Sequence, residues 1–509
     1  MTKYSMFTWE NFFTYKRDFG TKHSLGVTLL QSVQQDLRES LNASAEDISA
    51  DVLKYYDLGA GSIIDGIGSG YRKWTMASFM GRVNYNYLGR YLLTVSARYD
   101  GSSRLADGHK WVLFPSAALA WRISDEKFMK NIKWLDNLKL RVGYGKTGNS
   151  SVDPYQTRGT LSKVYYVYNN GKDEVLGYAP KKMANKLLTW ETTEQYNLGL
   201  DFGFLKNRIN GSIDLYLQKT YDLLLERQLP VVSGFSNIVS NIGRTQNKGI
   251  EISLNTRNVV TKNFEWTTDL TFTAGREEIV ELYNGKVDDP GSGWFIGEPI
   301  DVYYNYKKIG IWQDTPEDLA EMEKFNANGA NFKPGTIRLW DNGDYKITEE
   351  DKQIIGTKRP KFVASMVNSF RYRDFDFSLF LYGSQGGMLK NDISIMEKPG
   401  RANSVRLDYW TPNNPTNAYP RPSVDMERPD YINTTYYENA SFLRVRNITL
   451  GYTLPKALTS KWSIDKLRFY VTANNPLIFT NFSGIDPEGA TGNTSPSYSS
   501  WMFGLNLSL

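Results

Sequence analysis

Apolar and polar side chains alternate one for one over long stretches of this chain. In residues 82–100, Val83, Tyr85 and Tyr87 alternate with Arg82, Asn84 and Asn86. After Leu88-Gly89-Arg90 the pattern resumes, with Tyr91, Leu93, Val95, Ala97 and Tyr99 set against Thr94, Ser96, Arg98 and Asp100. A period of two makes each arm a β-strand with one apolar and one polar face. Residues 191–220 repeat the scheme: Tyr196, Leu198, Leu200, Phe202 and Phe204 oppose Gln195, Asn197 and Asp201. Beyond Lys206-Asn207-Arg208, Ile209, Ile213, Leu215 and Leu217 oppose Asn210, Ser212, Asp214 and Gln218. Further pairs are read at 4–17 with 22–34, 248–258 with 263–273, and 360–372 with 374–383. Looser joins link 113–122 with 138–146 and 440–453 with 466–474, and a last strand occupies 501–509. The count is about fifteen strands, most near the ~9–11 residues that a tilted strand needs to cross a bilayer.

The connections alternate as well. Those at 88–90, 206–208, 259–262 and 372–373 are short; those near 35–73, 147–190, 221–247, 274–359, 384–439 and 475–498 are long. Short turns at one end and long loops at the other predict an all-β, antiparallel transmembrane barrel. Val83, Val95, Leu198 and Leu215 are then expected to face lipid, and Arg82, Asn84, Arg98, Asn197 and Asp214 the lumen. The competing architecture is a large soluble β protein whose apolar faces pack on a second sheet. In FLRVRNITLGY the alternation changes phase between Val445 and Ile448. One extra residue near Arg446-Asn447 restores the facing, so a β-bulge is expected there.

Composition narrows the classes. Aromatics form 14% of the 509 residues, with 33 Tyr, 25 Phe and 13 Trp, and they suit interfacial belts and sugar-binding surfaces. The charge is +5, from 60 basic and 55 acidic residues dispersed along the chain, without the basic stripe that nucleic acid requires. Cysteine is absent, which excludes disulfides and thiolate chemistry, and the two histidines, His23 and His109, lie far apart. No apolar run of about 18 residues makes a transmembrane helix. The amino terminus reads as a strand and lacks the apolar core of a signal peptide.

Several stretches resemble one family. They are RYDGSSRL (98–105), FPSAALAWRIS (114–124), LKLRVGYGKTGN (138–149), NKGIEISLN (247–255), FLRVRNITLGYTLP (442–455) and NNPLIFTNFSGIDPEG (474–489). As a set, in this order, they resemble the SusC/RagA-type TonB-dependent outer-membrane transporters of Bacteroidetes, from about residue 75 onward. The resemblance implies part of a 22-stranded, plugged barrel with short periplasmic turns and long extracellular loops. It also implies outer-membrane location, a SusD-like surface lipoprotein as partner, and import of oligosaccharides or peptides powered through the TonB complex. No cofactor is implied. Full members carry a signal peptide, an amino-terminal extension, a plug with a TonB-contacting segment and the first barrel strands. None is found here, so residues 1–509 are expected to be an incomplete barrel, with insertions at 274–359 and 384–439. The last residue, Leu509, departs from the family's usual aromatic. A secreted or surface-anchored glycan-binding β protein without transport is the alternative function.

Two motifs carry chemistry. WDNGDYKITEED (340–351) resembles a calcium loop, with Asn342 and Asp344 at the third and fifth positions and Asp351 at the twelfth. Trp340 and Tyr345 replace the first carboxylate and the turn glycine, so a solvated acidic loop is the favoured reading and no metal is expected. Aromatics cluster in the long loops, and Tyr165, Tyr166, Trp294, Trp312, Tyr409 and Trp410 are the candidate ligand contacts. Aromatic faces stack on sugar rings while neighbouring Asn and Asp take hydroxyls. Packing within the loops is the competing role for each. No acid–base pair stands at a recognisable spacing, so an enzyme is not expected.

Overall fold

The computed structural model describes residues 1–48, 52, 54, 56–171, 173–391, 407–422, 429–488 and 497–509. Parts of the predicted loops 35–73, 147–190, 384–439 and 475–498 therefore lie outside the described residues, as does Gly489 of the last family stretch.

Fifteen strands form one antiparallel meander in sequence order. They are β1 (Thr2–Phe19), β2 (His23–Ile48), β3 (Gly61–Tyr87), β4 (Tyr91–Ser102) and β5 (Trp111–Arg122). Then come β6 (Leu135–Asn149), β7 (Glu191–Phe204), β8 (Ile209–Tyr221), β9 (Arg244–Val260) and β10 (Phe264–Glu281). The last five are β11 (Phe362–Tyr372), β12 (Phe375–Gln385), β13 (Phe442–Thr453), β14 (Lys466–Thr480) and β15 (Ser500–Ser508). Among the described residues β1 pairs only with β2, and β15 only with β14.

The register puts like with like. Val83 pairs with Val95, Leu198 with Leu215 and Val142, and Leu93 with Leu119, so apolar rows run across the sheet on one face. That face is open: Val95 and Leu198 are each 46% exposed. A two-sheet sandwich would bury both. The opposite face is held by polar pairs across the strands. Ser96 meets Ser116 at 2.7 Å, Thr271 meets Ser365 at 2.7 Å and Thr449 meets Thr472 at 2.8 Å. Asn84 accepts from Thr94 at 2.9 Å, and Arg98 bonds Asp100 and Ser78 at 2.8 Å. Apolar outward and polar inward is the transmembrane barrel pattern.

The bulge lies where the phase change puts it. Val445 pairs with Leu381 and Leu477, Asn447 with Phe380 and Asn474, and Arg446 is the extra residue between them. The expected loop at 35–73 is corrected: β2 runs to Ile48 and β3 begins at Gly61, so most of it is paired strand. Both faces of that extension are rich in polar residues, for example Gln34, Gln35, Asp36, Arg38 and Glu39. Gln35 and Glu39 break the apolar face at its start, while Leu37, Leu41, Ala43 and Ala45 still alternate with Arg38, Asn42, Ser44 and Glu46, a weaker period-two signal that the loop expectation passed over.

Candidate functional site

The long-connection end is built from insertions with their own cores. Between β10 and β11, Val302–Tyr306 pairs with Lys352–Thr357 and Lys308–Ile311 with Ile337–Leu339. Helix α1 (Pro316–Ala327) starts at Thr315, whose side chain accepts from the Asp318 N–H, and has proline in its first turn. It buries Met322 and Phe325 against Trp312 and Phe332. The Arg338 guanidinium lies 4.4 Å over the Trp312 ring and reaches Asp318 at 3.1 Å and Glu321 at 2.5 Å.

The insertion between β12 and β13 completes this core. Trp410, Ile432 and Tyr436 pack on Ile311, Ile337 and Leu339. The Trp410 indole donates to Gln313 Oε1 at 2.9 Å, and Ile311 N–H donates to Asn417 Oδ1 at 2.9 Å. Gly335, at φ +87°, lies where a Cβ would come within 2.5 Å of the Trp410 ring, so only glycine fits. Lys308 crosses between the insertions to donate to the Ala418 carbonyl. Burial pushes its ammonium below the ordinary lysine range. Two segments separated by a barrel hairpin thus fold as one canopy.

The six aromatic candidates divide. Trp312 is 1% exposed and Trp410 5%, so both fill the canopy core and present no face to a ligand. Trp294 is half-buried, its backbone bridged to Asp289. Tyr165 and Tyr166 stand exposed on a hairpin, Thr160–Tyr168 with Asp173–Lys182, in the loop between β6 and β7. Tyr409 is exposed at the canopy surface. In the acidic loop, Asn342 Oδ1 accepts from Asp344 N–H at 3.1 Å and Asp344 Oδ1 from Lys346 N–H at 2.8 Å. Asp351 is fully buried and accepts from the N–H groups of Asn342 and Thr348 at 3.1 and 2.7 Å, which folds the loop on itself. Asp341, absent from the sequence expectation, accepts from the N–H groups of Gly343 and Tyr345 at 2.9 and 3.2 Å.

Sequence reasoning missed the ionic clamps of the inward wall. Arg141 bridges Asp201 at 2.7 Å and Asp214 at 2.8 Å, with Lys139 at 3.6 Å from Asp201. Gly199 lies beneath: a Cβ there would stand 2.5 Å from Asp214 and 2.6 Å from the Arg141 guanidinium carbon. Gly451 serves the Arg468–Asp376 pair in the same way, with a Cβ 2.4 Å from the guanidinium. At the bulge, buried Arg444 holds Asp486 at 2.6 Å and Glu488 at 2.8 Å, and Arg446 joins Glu488. Burial pushes Asp486 up, but the Ser497 hydroxyl, the Glu488 N–H and Arg444 hold it below the usual carboxylate range. Burial prevails at Glu488, which is raised. Gly199 and Gly451 are far in sequence from Arg141 and Arg468, so only strand register brings each glycine beside its ion pair.

The polar inner wall, the apolar outer wall and the canopy agree with comparisons to known proteins. The profile described as TonB dependent receptor-like, beta-barrel matches residues 2–476. The chain belongs to the TonB-dependent receptor family. TonB-dependent receptor P3 of Formosa agariphila is 34% identical over 512 residues, covering 98% of this chain and 50% of that protein. TonB-dependent receptor SusC of Bacteroides thetaiotaomicron is 34% identical over 452 residues, covering 85% of this chain and 44% of its own length. The chain spans about half the length of the curated relatives it matches. The structure of the RagAB peptide transporter superposes with a TM-score of 0.81 at 24% identity, over 99% of this chain and 56% of the other. This TonB-dependent receptor is similar to SusC in sequence and to the RagAB transporter in fold, and it is an outer-membrane protein with short periplasmic turns and long extracellular loops.

Proposed function

We propose that the intact protein takes up oligosaccharide or peptide fragments through the outer membrane, energised by TonB, with a SusD-like lipoprotein over its canopy. The observation that carries this reading is the canopy itself. A packed, two-insertion unit stands over a barrel wall whose inner face is mostly polar, which suits a selective mouth above a hydrated lumen. In this reading the extracellular insertions expected at 274–359 and 384–439, whose first residues continue β10 to Glu281 and β12 to Gln385, frame the entrance. Tyr165, Tyr166 and Tyr409 supply the exposed faces for stacking on sugar or peptide groups, while Trp312 and Trp410 hold the frame. The relatives support the reading by name: RagAB is called a peptide transporter and SusC a TonB-dependent receptor. The role is binding and passage, without a catalytic step.

The test is uptake by cells carrying the gene, offered labelled oligosaccharides and labelled peptides separately. Saturable uptake of one class, abolished when TonB is inactivated, is the expected result. Uptake indifferent to TonB, or surface binding with no accumulation inside, would overturn transport.

A further inference from the structure

One periplasmic turn is larger and differently charged from its neighbours. Between β5 and β6 the chain makes two single-turn helical segments, Ile123–Asp125 and Lys127–Met129. Lys127, Lys130 and Lys133 alternate there with Phe128, Met129, Ile132 and Trp134.

The turn is pinned to the outer circumference of the barrel. Glu126 accepts from the Tyr91 hydroxyl at 2.5 Å and from the Trp121 indole at 3.1 Å, and pairs with Arg90 at 3.2 Å. Tyr91 shares the outward parity of Leu93 and Val95, and stacks on Trp121, its partner across the strands, at 6.4 Å. At the far end, the Trp134 ring lies 5.5 Å from Phe204, which stacks on Phe202 in the same outward row as Leu198. Both ends therefore fold over the lipid-facing rim and away from the lumen.

The charges on the turn are unbalanced. Asp125 is engaged by Arg122 at 3.4 Å and Glu126 by Arg90 at 3.2 Å. Lys127, Lys130 and Lys133 are exposed and form no ion pair among the described residues. Phe128 and Trp134 are 64% and 57% exposed beside them. Three free ammonium groups interleaved with two bare aromatic rings, at the level where an aromatic girdle meets water, have the chemistry of an anionic headgroup site. The other elaborated periplasmic turn, 454–465, provides a contrast: Lys456 is spent on Asp465 at 3.0 Å, which leaves Lys461 alone beside Trp462.

We propose that residues 123–134 form a shelf that binds anionic phospholipid of the periplasmic leaflet, its rings in the interface and its lysines on the phosphates. Native mass spectrometry of the detergent-extracted protein tests this with phosphatidylglycerol, phosphatidylethanolamine and inorganic phosphate as separate probes. The Lys127→Gln/Lys130→Gln/Lys133→Gln variant is expected to retain phosphatidylglycerol about a hundredfold less well, at roughly fivefold for each lysine attracted to an anionic surface. Lys461→Gln should retain it unchanged. Equal retention by the triple variant, or an equal loss from Lys461→Gln, overturns the assignment. Displacement of the lipid by millimolar inorganic phosphate overturns the lipid source in favour of a free-phosphate site. Heat-modifiable gel mobility reports whether the triple variant folds; if it does not, the three single variants should each lose part of the retention, and no graded loss refutes the shelf.

Discussion

The barrel wall and the canopy use the same apolar residue types in opposite senses. In the wall Val95 and Leu198 point away from the sheet and stay open, and cohesion comes from backbone ladders and from inward pairs such as Ser96–Ser116. In the canopy Trp312, Ile311 and Ile337 point inward and are buried, while the charged side chains of α1 face out or clamp Arg338. The difference is one of solvent. Lipid completes the outer surface of the wall, whereas water forces the canopy to bury its own aromatics.

The sharpest way to break this comparison is to empty the canopy core. Trp312→Ala should destabilise the canopy by about 3–5 kcal/mol. Limited proteolysis would then open residues 282–361 while heat-modifiable mobility of the barrel is retained; loss of both together would mean the two regions are one cooperative unit. Next in size is the wall. Leu198→Arg should cost about 2–4 kcal/mol for folding into vesicles, measured by urea titration, because it puts a cation into hydrocarbon. Neighbouring Asn197→Arg, on the lumen side, should cost little, and equal costs would contradict the assigned faces. The clamps come third. Gly199→Val must push Arg141 from Asp214, and about 1–3 kcal/mol is expected for such overpacking, read in the same titration.

The smallest effect is on pH dependence. Lys308 is held below its ordinary value of 10.5 by burial. Its neutral form is therefore favoured in the folded canopy, and the penalty for carrying charge is complete below the folded value. Stability should rise as pH climbs from that lowered value towards 10.5 and level off above it. Hydrogen exchange of Lys308–Ile311 across that window should slow with rising pH once corrected for intrinsic rates, and Lys308→Met should flatten the trend.

How much of this was legible follows from the same contrast in solvent. Strands β3, β4, β7 and β8 are readable because lipid and lumen impose period two, and even the Arg446 bulge announces itself as a change of phase. The upper part of β2 and β3 is harder to read by that rule, since Gln35, Glu39, Asp65 and Ser69 interrupt its apolar face. Among the loop aromatics, Trp312 and Trp410 have the same composition-level signature as Tyr409, and only the pairing of two distant insertions decides which of them is buried. The inward clamps depend on register across three strands, so Arg141, Asp201 and Asp214 look like scattered charges until the strands are aligned.

The shared core of the canopy also bears on how such a protein can be recombined. Each insertion holds half of a hydrophobic interior: Ile311, Ile337 and Leu339 come from one side of the hairpin at 362–385, and Trp410, Ile432 and Tyr436 from the other. Exchanging one insertion with that of a relative orphans the remaining half and leaves Gly335 facing a ring it was not shaped for. The transferable piece is the whole span 282–441, hairpin included. Diversity at this mouth is therefore expected to pass between relatives as a single cassette, with its breakpoints in β10 and β13.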